Sequence, residues 1–201
     1  MVPRSSIPSG TNPIMSIWSF KRKHFPDGRI MKHKSRLCAH GGMQKWGVDY
    51  WETYSPVVNW VSVRILSSLC MIHGLKSRSI DFALAFPQVE LKEDMYMQLH
   101  YGFDFHGDRI FVMKLNKSIY GLCQSSSNWY HHVTNGLKVR DFFPSQVDPY
   151  VYYRENCIVL VFVDDYLIFS KDKSVIDGFI YSLQHGEENY SLTDEGEIEI
   201  S

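Results

Sequence analysis

The stretch "LVFVDDYLIFS" at residues 160–170 places Asp164 and Asp165 side by side between two apolar runs. Burying two adjacent negative charges is costly unless something pairs them. A tight turn between the strands "CIVLVFV" (157–163) and "YLIFS" (166–170) would instead present both carboxylates at the edge of a sheet. An exposed hairpin turn without chemistry is the alternative interpretation, because Asp is common in turns.

Divalent metal ions would offset the repulsion between two neighbouring carboxylates. Mg²⁺ prefers carboxylate and phosphate oxygens and is usually held by only one or two protein carboxylates. A site for two such ions needs a further carboxylate from another strand, and Asp81 in "SIDFALAF" (79–86) is the best candidate. Three aspartates on neighbouring strands suit two-metal phosphoryl transfer, in which one ion activates a hydroxyl and the other stabilises leaving pyrophosphate.

The hydrophobic pattern around these aspartates predicts an α+β fold. "FPDGR" (25–29) is a turn signal between two basic, partly alternating runs, which predicts a β-hairpin over 17–40. Apolar spacing predicts a helix from Trp60 to Gly74, a second over 124–140 and a third over 174–183. Strands and helices do not alternate as in a doubly wound sheet, so α+β is favoured.

Charge and cysteine usage narrow the class of protein. Residues 1–50 hold nine Lys or Arg against two Asp or Glu, whereas residues 172–201 hold one Lys against eight Asp or Glu. This asymmetry predicts a polyanion partner at the basic end, with a solvated basic surface as the alternative. The four cysteines lie far apart without metal-ligand or disulfide spacing, which predicts free thiols in a reducing compartment.

The start of the chain has no targeting or membrane signal. Residues 1–16 are rich in Pro and Ser, lack an apolar h-region and predict a flexible leader rather than a secretory signal. No apolar run reaches the roughly 18–20 residues of a membrane span. We therefore expect an intracellular protein that does not interact with membranes.

Further motifs occur in a fixed order along the chain, and together they resemble the reverse transcriptase of copia-type retrotransposons from about residue 17 to residue 199. The matching segments are "HKSRLCAHGGMQKWGVDYWETYSPVV" (33–58), "SIDFALAFPQVEL" (79–91), "LNKSIYGLCQSSSNWY" (115–130), "SQVDPYVYY" (145–153) and "FVDD" (162–165). One such match would be weak evidence, but the ordered set is specific.

The resemblance implies the fingers and palm of a right-hand polymerase, with an antiparallel palm sheet, packed helices and no thumb. The expected domains are the leader (1–16) and a fingers–palm domain (17–201) truncated before the thumb and an RNase H domain. The resemblance also implies an RNA-directed DNA polymerase that uses an RNA or DNA template with a primer and deoxynucleoside triphosphates. The expected location is a cytoplasmic particle or the nucleus.

By the same resemblance, Asp81, Asp164 and Asp165 match the catalytic carboxylates that hold two Mg²⁺ ions, for which Mn²⁺ is a possible substitute. Asp81 and Asp164 are the expected principal ligands, with Asp165 in support. Phe86 matches the aromatic residue beside the sugar of the incoming nucleotide, where a flat ring would collide with a 2′-hydroxyl. Its alternative role is an ordinary core phenylalanine.

Lys34 and Arg36 match basic fingers positions that bind the triphosphate, although alternation places Lys32 on the same strand face. A solvated strand is the alternative interpretation. Gly121 and Gln124 match a segment that contacts nucleotide and template, with a plain turn before a helix as the alternative for Gly121.

The sequence departs from the family pattern at two positions. Phe162 replaces the usual Tyr, and Cys123 replaces the usual Lys, which removes a positive charge near the nucleotide or template. These changes and the missing thumb predict impaired activity. The alternative is a non-catalytic retrotransposon remnant or a nucleic-acid-binding fragment.

Overall fold

The structure, a computed structural model, describes residues 1–55, 57–100, 103 and 110–198. The chain divides into two compact units. Unit 1 comprises Met1–Tyr54 and Val89–Asn128, and unit 2 comprises Ser55–Gln88 and Trp129–Ser201. Helices and antiparallel strands occur together in the described residues, so the α+β prediction is confirmed.

Strands and helices in the described residues follow one another without a regular alternation. The strands are β1 (Val2–Pro3), β2 (Ser16–His24), β3 (Ile30–Ala39), β4 (Lys76–Phe82), β5 (Glu90–Gln98), β6 (Phe111–Lys117), β7 (Phe143–Pro144), β8 (Val151–Arg154), β9 (Cys157–Phe162), β10 (Asp165–Ser170) and β11 (Leu192–Gly196). The helices are α1 (Trp60–His73), α2 (Ser125–Val139) and α3 (Lys173–His185).

Unit 1 contains the predicted basic hairpin, β2 paired with β3, and a three-stranded sheet in the order β1-β6-β5. Its apolar core includes Ile14, Met95, Met97 and Leu122. The first sixteen residues thus contribute one short strand, β1, and two buried residues, Pro13 and Ile14, to this unit. Their predicted flexibility stays a prediction.

Unit 2 is built on a six-stranded sheet in the order β11-β4-β10-β9-β8-β7, with all neighbouring strands antiparallel. Central strand β10 pairs with β4 on one side and with β9 on the other. Buried aromatic rings fill one part of the core, where the Phe82 ring makes edge contacts with Trp129, Tyr166 and Tyr190. The predicted strand pair around "FVDD" therefore lies at the centre of the sheet.

Local sequence signals account for the helix ends. The Asn59 side chain accepts a hydrogen bond from the Val61 backbone N–H at the start of α1, and Gly74 ends this helix in the left-handed conformation with φ 60°. At α3, Asp172 accepts from the Ser174 backbone N–H in the same way. Among the described helices, none has the length and apolar character to cross a membrane.

Helix α1 differs from an ordinary amphipathic helix because the apolar stripe that predicts it faces solvent. Val61, Ile65 and Ile72 are all more than half exposed, and Trp60 is 67% exposed. Periodicity identifies a helix, but it does not identify what covers the apolar face.

Candidate active site

Asp81 and Asp165 lie directly opposite each other in neighbouring strands. Asp81 is the penultimate residue of β4, Asp165 is the first residue of β10, and the two are register partners. Directly opposed residues of an antiparallel pair point to the same face, with Cα atoms about 4.5–5.5 Å apart. The fold therefore places two of the three predicted carboxylates on one face of the sheet, over a sequence separation of more than eighty residues.

The third carboxylate, Asp164, lies in the turn between β9 and β10. Phe162 pairs with Asp165, which leaves Val163 and Asp164 as the two residues of the turn. The prediction that Asp164 and Asp165 form the turn is therefore wrong by one residue. Hairpin register, which local composition does not specify, moves Asp165 into the strand.

The backbone of this turn has two defined hydrogen bonds. The Val163 carbonyl accepts from the Trp129 indole N–H at 2.6 Å, and the Asp164 carbonyl accepts from the Phe82 backbone N–H at 2.8 Å. Val163 has φ 55°, which is unusual for a β-branched residue. Trp129 falls within the helix predicted over 124–140, but its turn partner lies 34 residues away and has no local sequence signal.

The donor chemistry of the three aspartates fits Mg²⁺, because carboxylate oxygens are its preferred protein ligands. No group of three or more His, Cys, Asp or Glu side chains within the described ranges is arranged to hold a metal ion. The Asp81–Asp165 pair nevertheless supplies the one or two carboxylates that Mg²⁺ commonly takes from protein when phosphates complete its shell. The residues present therefore fit the group at the level of ligand type and number.

Burial dominates the electrostatics behind the turn. The Tyr166 side chain, adjacent to Asp165 in sequence, is fully buried, and desolvation raises its pKa well above the usual value. The charges of Tyr190, Tyr152 and Asp164 act in the same direction. Tyr166 therefore stays a neutral phenol at ordinary pH.

Phe86 begins a short 3₁₀ turn, Phe86–Gln88, and is half-buried. The Gln88 side chain donates to the carbonyls of Ala83 and Ser191, both at 2.8 Å, and accepts from the Ser191 backbone N–H at 2.9 Å. This amide fastens the loop that contains Phe86 to the segment before β11. Gln88 was not predicted, because a single Gln has no local sequence signature.

The basic hairpin of unit 1 has two chemically different faces. The pairs Lys21–Lys34, Lys23–Lys32 and Ser19–Arg36 are in register, so these side chains share one face. On the other face, the Trp18 and Phe20 rings stack with centroids 5.8 Å apart. The predicted alternation of Lys32, Lys34 and Arg36 is thus confirmed, and the Arg36 guanidinium lies 4.4 Å from the centroid of the Tyr120 ring.

Gly121 and Gln124 have structural roles within unit 1. Gly121 has φ 91°, and a Cβ atom there would overlap the Ala39 carbonyl. Gln124 is buried; its amide N–H donates to the Asp49 carbonyl at 3.1 Å, and its oxygen accepts from the Gln44 amide at 2.9 Å. The predicted nucleotide contacts of both residues stay predictions, and Gln44 is a partner that sequence patterns did not identify.

Cys123, which departs from the family pattern, lies between Gly121 and Gln124. Its backbone N–H donates to the Gln44 side-chain oxygen at 2.8 Å, and its thiol lies 3.4 Å from the Gly41 carbonyl. All four cysteines are free, as predicted. Cys123 therefore fits its site as a small half-buried residue.

Comparison with known families identifies the class of protein. The family described as "Reverse transcriptase (RNA-dependent DNA polymerase)" matches residues 4–199. The chain belongs to this reverse transcriptase family.

Two plant transposon proteins confirm the resemblance to copia-type elements. The chain is 38% identical over 175 residues to the retrovirus-related Pol polyprotein from transposon TNT 1-94 of Nicotiana tabacum. The matched region covers 85% of this chain and 13% of that relative. It is 34% identical over 195 residues to the corresponding polyprotein from transposon RE1 of Arabidopsis thaliana, which covers 95% and 13% respectively. The chain thus corresponds to about an eighth of the length of these relatives.

A solved structure of telomerase from Candida albicans, in complex with a TWJ fragment of telomeric RNA, has a TM-score of 0.42 and 10% identity to the chain. The match covers 94% of this chain and 43% of that one. A similarity at this level adds nothing to the assignment.

Proposed function

We propose that this domain is an RNA-directed DNA polymerase in which unit 2 is the palm and the hairpin of unit 1 belongs to the fingers. The observation on which the proposal depends is the register of Asp81 with Asp165, with Asp164 in the adjoining turn. Paired carboxylates on one sheet face are what a magnesium-dependent nucleotidyl transferase requires. The substrates are a deoxynucleoside triphosphate and a primer on an RNA or DNA template.

In the proposed reaction, the 3′-oxygen of the primer forms a bond to the α-phosphorus of the triphosphate. The bond from the α-phosphorus to its bridging oxygen breaks, pyrophosphate leaves, and the hydroxyl proton passes to solvent. When bound, Mg²⁺ would favour ionisation of the hydroxyl and neutralise charge on the phosphates. Asp81, Asp164 and Asp165 would hold the ions, and their fixed backbone positions would orient the ligand oxygens.

The other predicted residues would bind and select the nucleotide. Lys34 and Arg36 offer cations that suit the negative charge of the triphosphate, and Arg can bind phosphate with two parallel hydrogen bonds. Phe86 would lie beside the sugar and exclude the 2′-hydroxyl. Gly121 would let the backbone approach the nucleotide closely, and Gln124 would hold the loop that contains Gly121.

Primer extension on a primed RNA template tests the proposal. Asp81→Asn, Asp164→Asn and Asp165→Asn should each abolish Mg²⁺-dependent incorporation by the 201-residue chain. Glu195→Gln is the matched control, because this exposed carboxylate lies on β11, next to β4 in the same sheet. Incorporation that survives Asp164→Asn, or that Glu195→Gln abolishes equally, contradicts the proposal.

A second candidate function is nucleic-acid binding without catalysis. The observation that favours it is the hairpin, with Lys and Arg on one face and stacked Trp18 and Phe20 on the other. Cations bind phosphates, and exposed aromatic rings stack on unpaired bases. Salt-sensitive binding of single strands, together with no incorporation and no Mn²⁺ binding that depends on Asp81, would favour this alternative.

A further inference from the structure

We propose that Trp129 is a positioning residue that fixes the turn bearing Asp164. This inference rests on the proposed function, because it concerns how that site holds its carboxylates. Trp129 lies in the first half of α2 and is only 2% exposed. It contacts no reacting atom, so its role would be exerted through the backbone of the turn.

The turn requires external contacts because one of its two residues has an unfavourable backbone conformation. Val163 has φ 55°, in the left-handed region that β-branched residues rarely adopt. Such a conformation persists only where the surrounding structure determines it. Without those contacts, the Val163–Asp164 segment would relax, and the Asp164 carboxylate would move with it.

Two hydrogen bonds hold both carbonyls of this turn. The Trp129 indole N–H donates to the Val163 carbonyl at 2.6 Å, and the Phe82 backbone N–H donates to the Asp164 carbonyl at 2.8 Å. An indole N–H can only donate, so this contact has a single possible direction. Replacing that donor leaves a carbonyl at the turn without its partner.

The same tryptophan also contacts the strand that bears the other carboxylate. Its ring meets the Phe82 ring edge-on, with centroids 5.1 Å apart, and Phe82 directly follows Asp81. Trp129 therefore contacts both the β9–β10 turn and the end of β4. Its position determines how the Asp164 carbonyl and the Phe82 amide meet, and so how the two acidic segments are spaced.

The decisive variant removes only the N–H. Incorporation of 3-benzothienylalanine at position 129 replaces the indole N–H by sulfur and keeps the bicyclic ring. Trp129→Phe is an encoded variant that also lacks the N–H but has a smaller ring, so it additionally loses packing at this buried site. Leu137→Val is the control for lost packing, because Leu137 lies on the same helix and is 1% exposed. The first readout is amide hydrogen exchange in the 201-residue chain, with the Val161 amide, which donates to the Tyr150 carbonyl, as an internal reference.

We expect exchange of the Phe82 amide to be roughly tenfold faster in both Trp129 variants, since exchange reports local opening. Exchange of the Val161 amide should be unaffected. Leu137→Val should not selectively accelerate exchange of the Phe82 amide. The second readout is titration with Mn²⁺ alone, in which affinity should fall about tenfold, as for other residues that orient metal ligands. In the unmodified chain, the Trp129 indole N–H should exchange far more slowly than that of the exposed Trp60.

Three results would overturn the inference. These are unchanged Phe82 exchange in the Trp129 variants, an equal acceleration in Leu137→Val, or a Trp129 indole N–H that exchanges as fast as that of Trp60. The last measurement needs no variant, so it can overturn the inference even where a Trp129 variant fails to fold. Failure of the proposed function would look different: Mn²⁺ binding would be absent, or insensitive to Asp81→Asn, while the exchange results would still decide the role of Trp129.

Discussion

The Ser62 hydroxyl on α1 donates a hydrogen bond of 2.5 Å to the Asp148 carboxylate, which also accepts from the Asn59 and Tyr150 backbone N–H groups. Asp148 is buried, and it lies in "SQVDPYVYY" (145–153), one of the segments that resemble copia-type reverse transcriptases. One carboxylate thus ties the start of α1 to the segment before β8, within unit 2.

This arrangement predicts an acid-dependent loss of stability. Burial raises the pKa of Asp148, but the hydrogen bonds from Ser62, Asn59 and Tyr150 outweigh it and leave the pKa below its usual value. A carboxyl whose folded pKa is lowered stabilises the fold above its unfolded pKa, near 4, and this contribution is lost as pH falls through the folded pKa.

Asp148→Asn should therefore lower the free energy of unfolding by about 1–3 kcal/mol at pH 7. The difference from the unmodified chain should shrink below about pH 4, as measured by urea unfolding at several pH values. Asp172→Asn is a useful control, because Asp172 caps α3 at an exposed site. A deficit that stays constant down to pH 2 would contradict the assignment.

Gly121→Ala should destabilise unit 1 by about 2–4 kcal/mol, because a Cβ atom combines an unfavourable positive φ with overlap of the Ala39 carbonyl. Gly28→Ala is the matched control, since Gly28 has φ 86° but open space around its Cα. Thermal unfolding should show a loss of only about 1 kcal/mol for that control. Equal losses at both positions would exclude the steric contact as the cause.

Neutralising Lys32 and Lys34 together should weaken binding of single-stranded nucleic acid and reduce its salt dependence. Each phosphate contact contributes about 0.7 to the slope of log affinity against log salt for single strands, so a loss of about 1.4 is expected. The measurement is fluorescence anisotropy at several salt concentrations. Lys138→Gln together with Lys173→Gln, at helical positions outside the hairpin, should leave the slope unchanged.

Phe86→Ala should relax discrimination against ribonucleotides by at least about tenfold, because removal of a ring opens space for a 2′-hydroxyl. Single-nucleotide extension with paired ribo- and deoxyribonucleoside triphosphates measures the ratio of kcat/KM values. Phe111→Ala provides a comparison, since this partly exposed aromatic residue lies on β6 in unit 1. A ratio that changes equally in the two variants would remove the sugar-selecting role from Phe86.

Local signals predicted much of the fold. The "FPDGR" turn with alternating basic runs predicted the hairpin, and the helical spacing of apolar residues predicted α1 and α3. The three aspartates were identifiable because charged residues stand out in apolar strands. The resemblance then supplied expected roles for Phe86 and the basic positions, which pattern alone does not specify, and these roles stay predictions.

Other parts of the site depend on residues that are distant in sequence. Gln88 contacts Ser191 across 103 positions, and Gln44 contacts Gln124 across 80. No local pattern marks such polar partners. The one-residue error at the Val163–Asp164 turn has the same cause, because pairing with a neighbouring strand sets the register.

Helix α1 has a practical consequence for anyone who purifies this domain. The solvent-facing tryptophan, valine and isoleucine side chains of this helix leave an apolar surface in contact with water. Attraction between such surfaces strengthens on warming from the cold, so self-association should increase with both temperature and concentration. Dilute, cool preparations are therefore the conditions under which the unassociated protein can be studied.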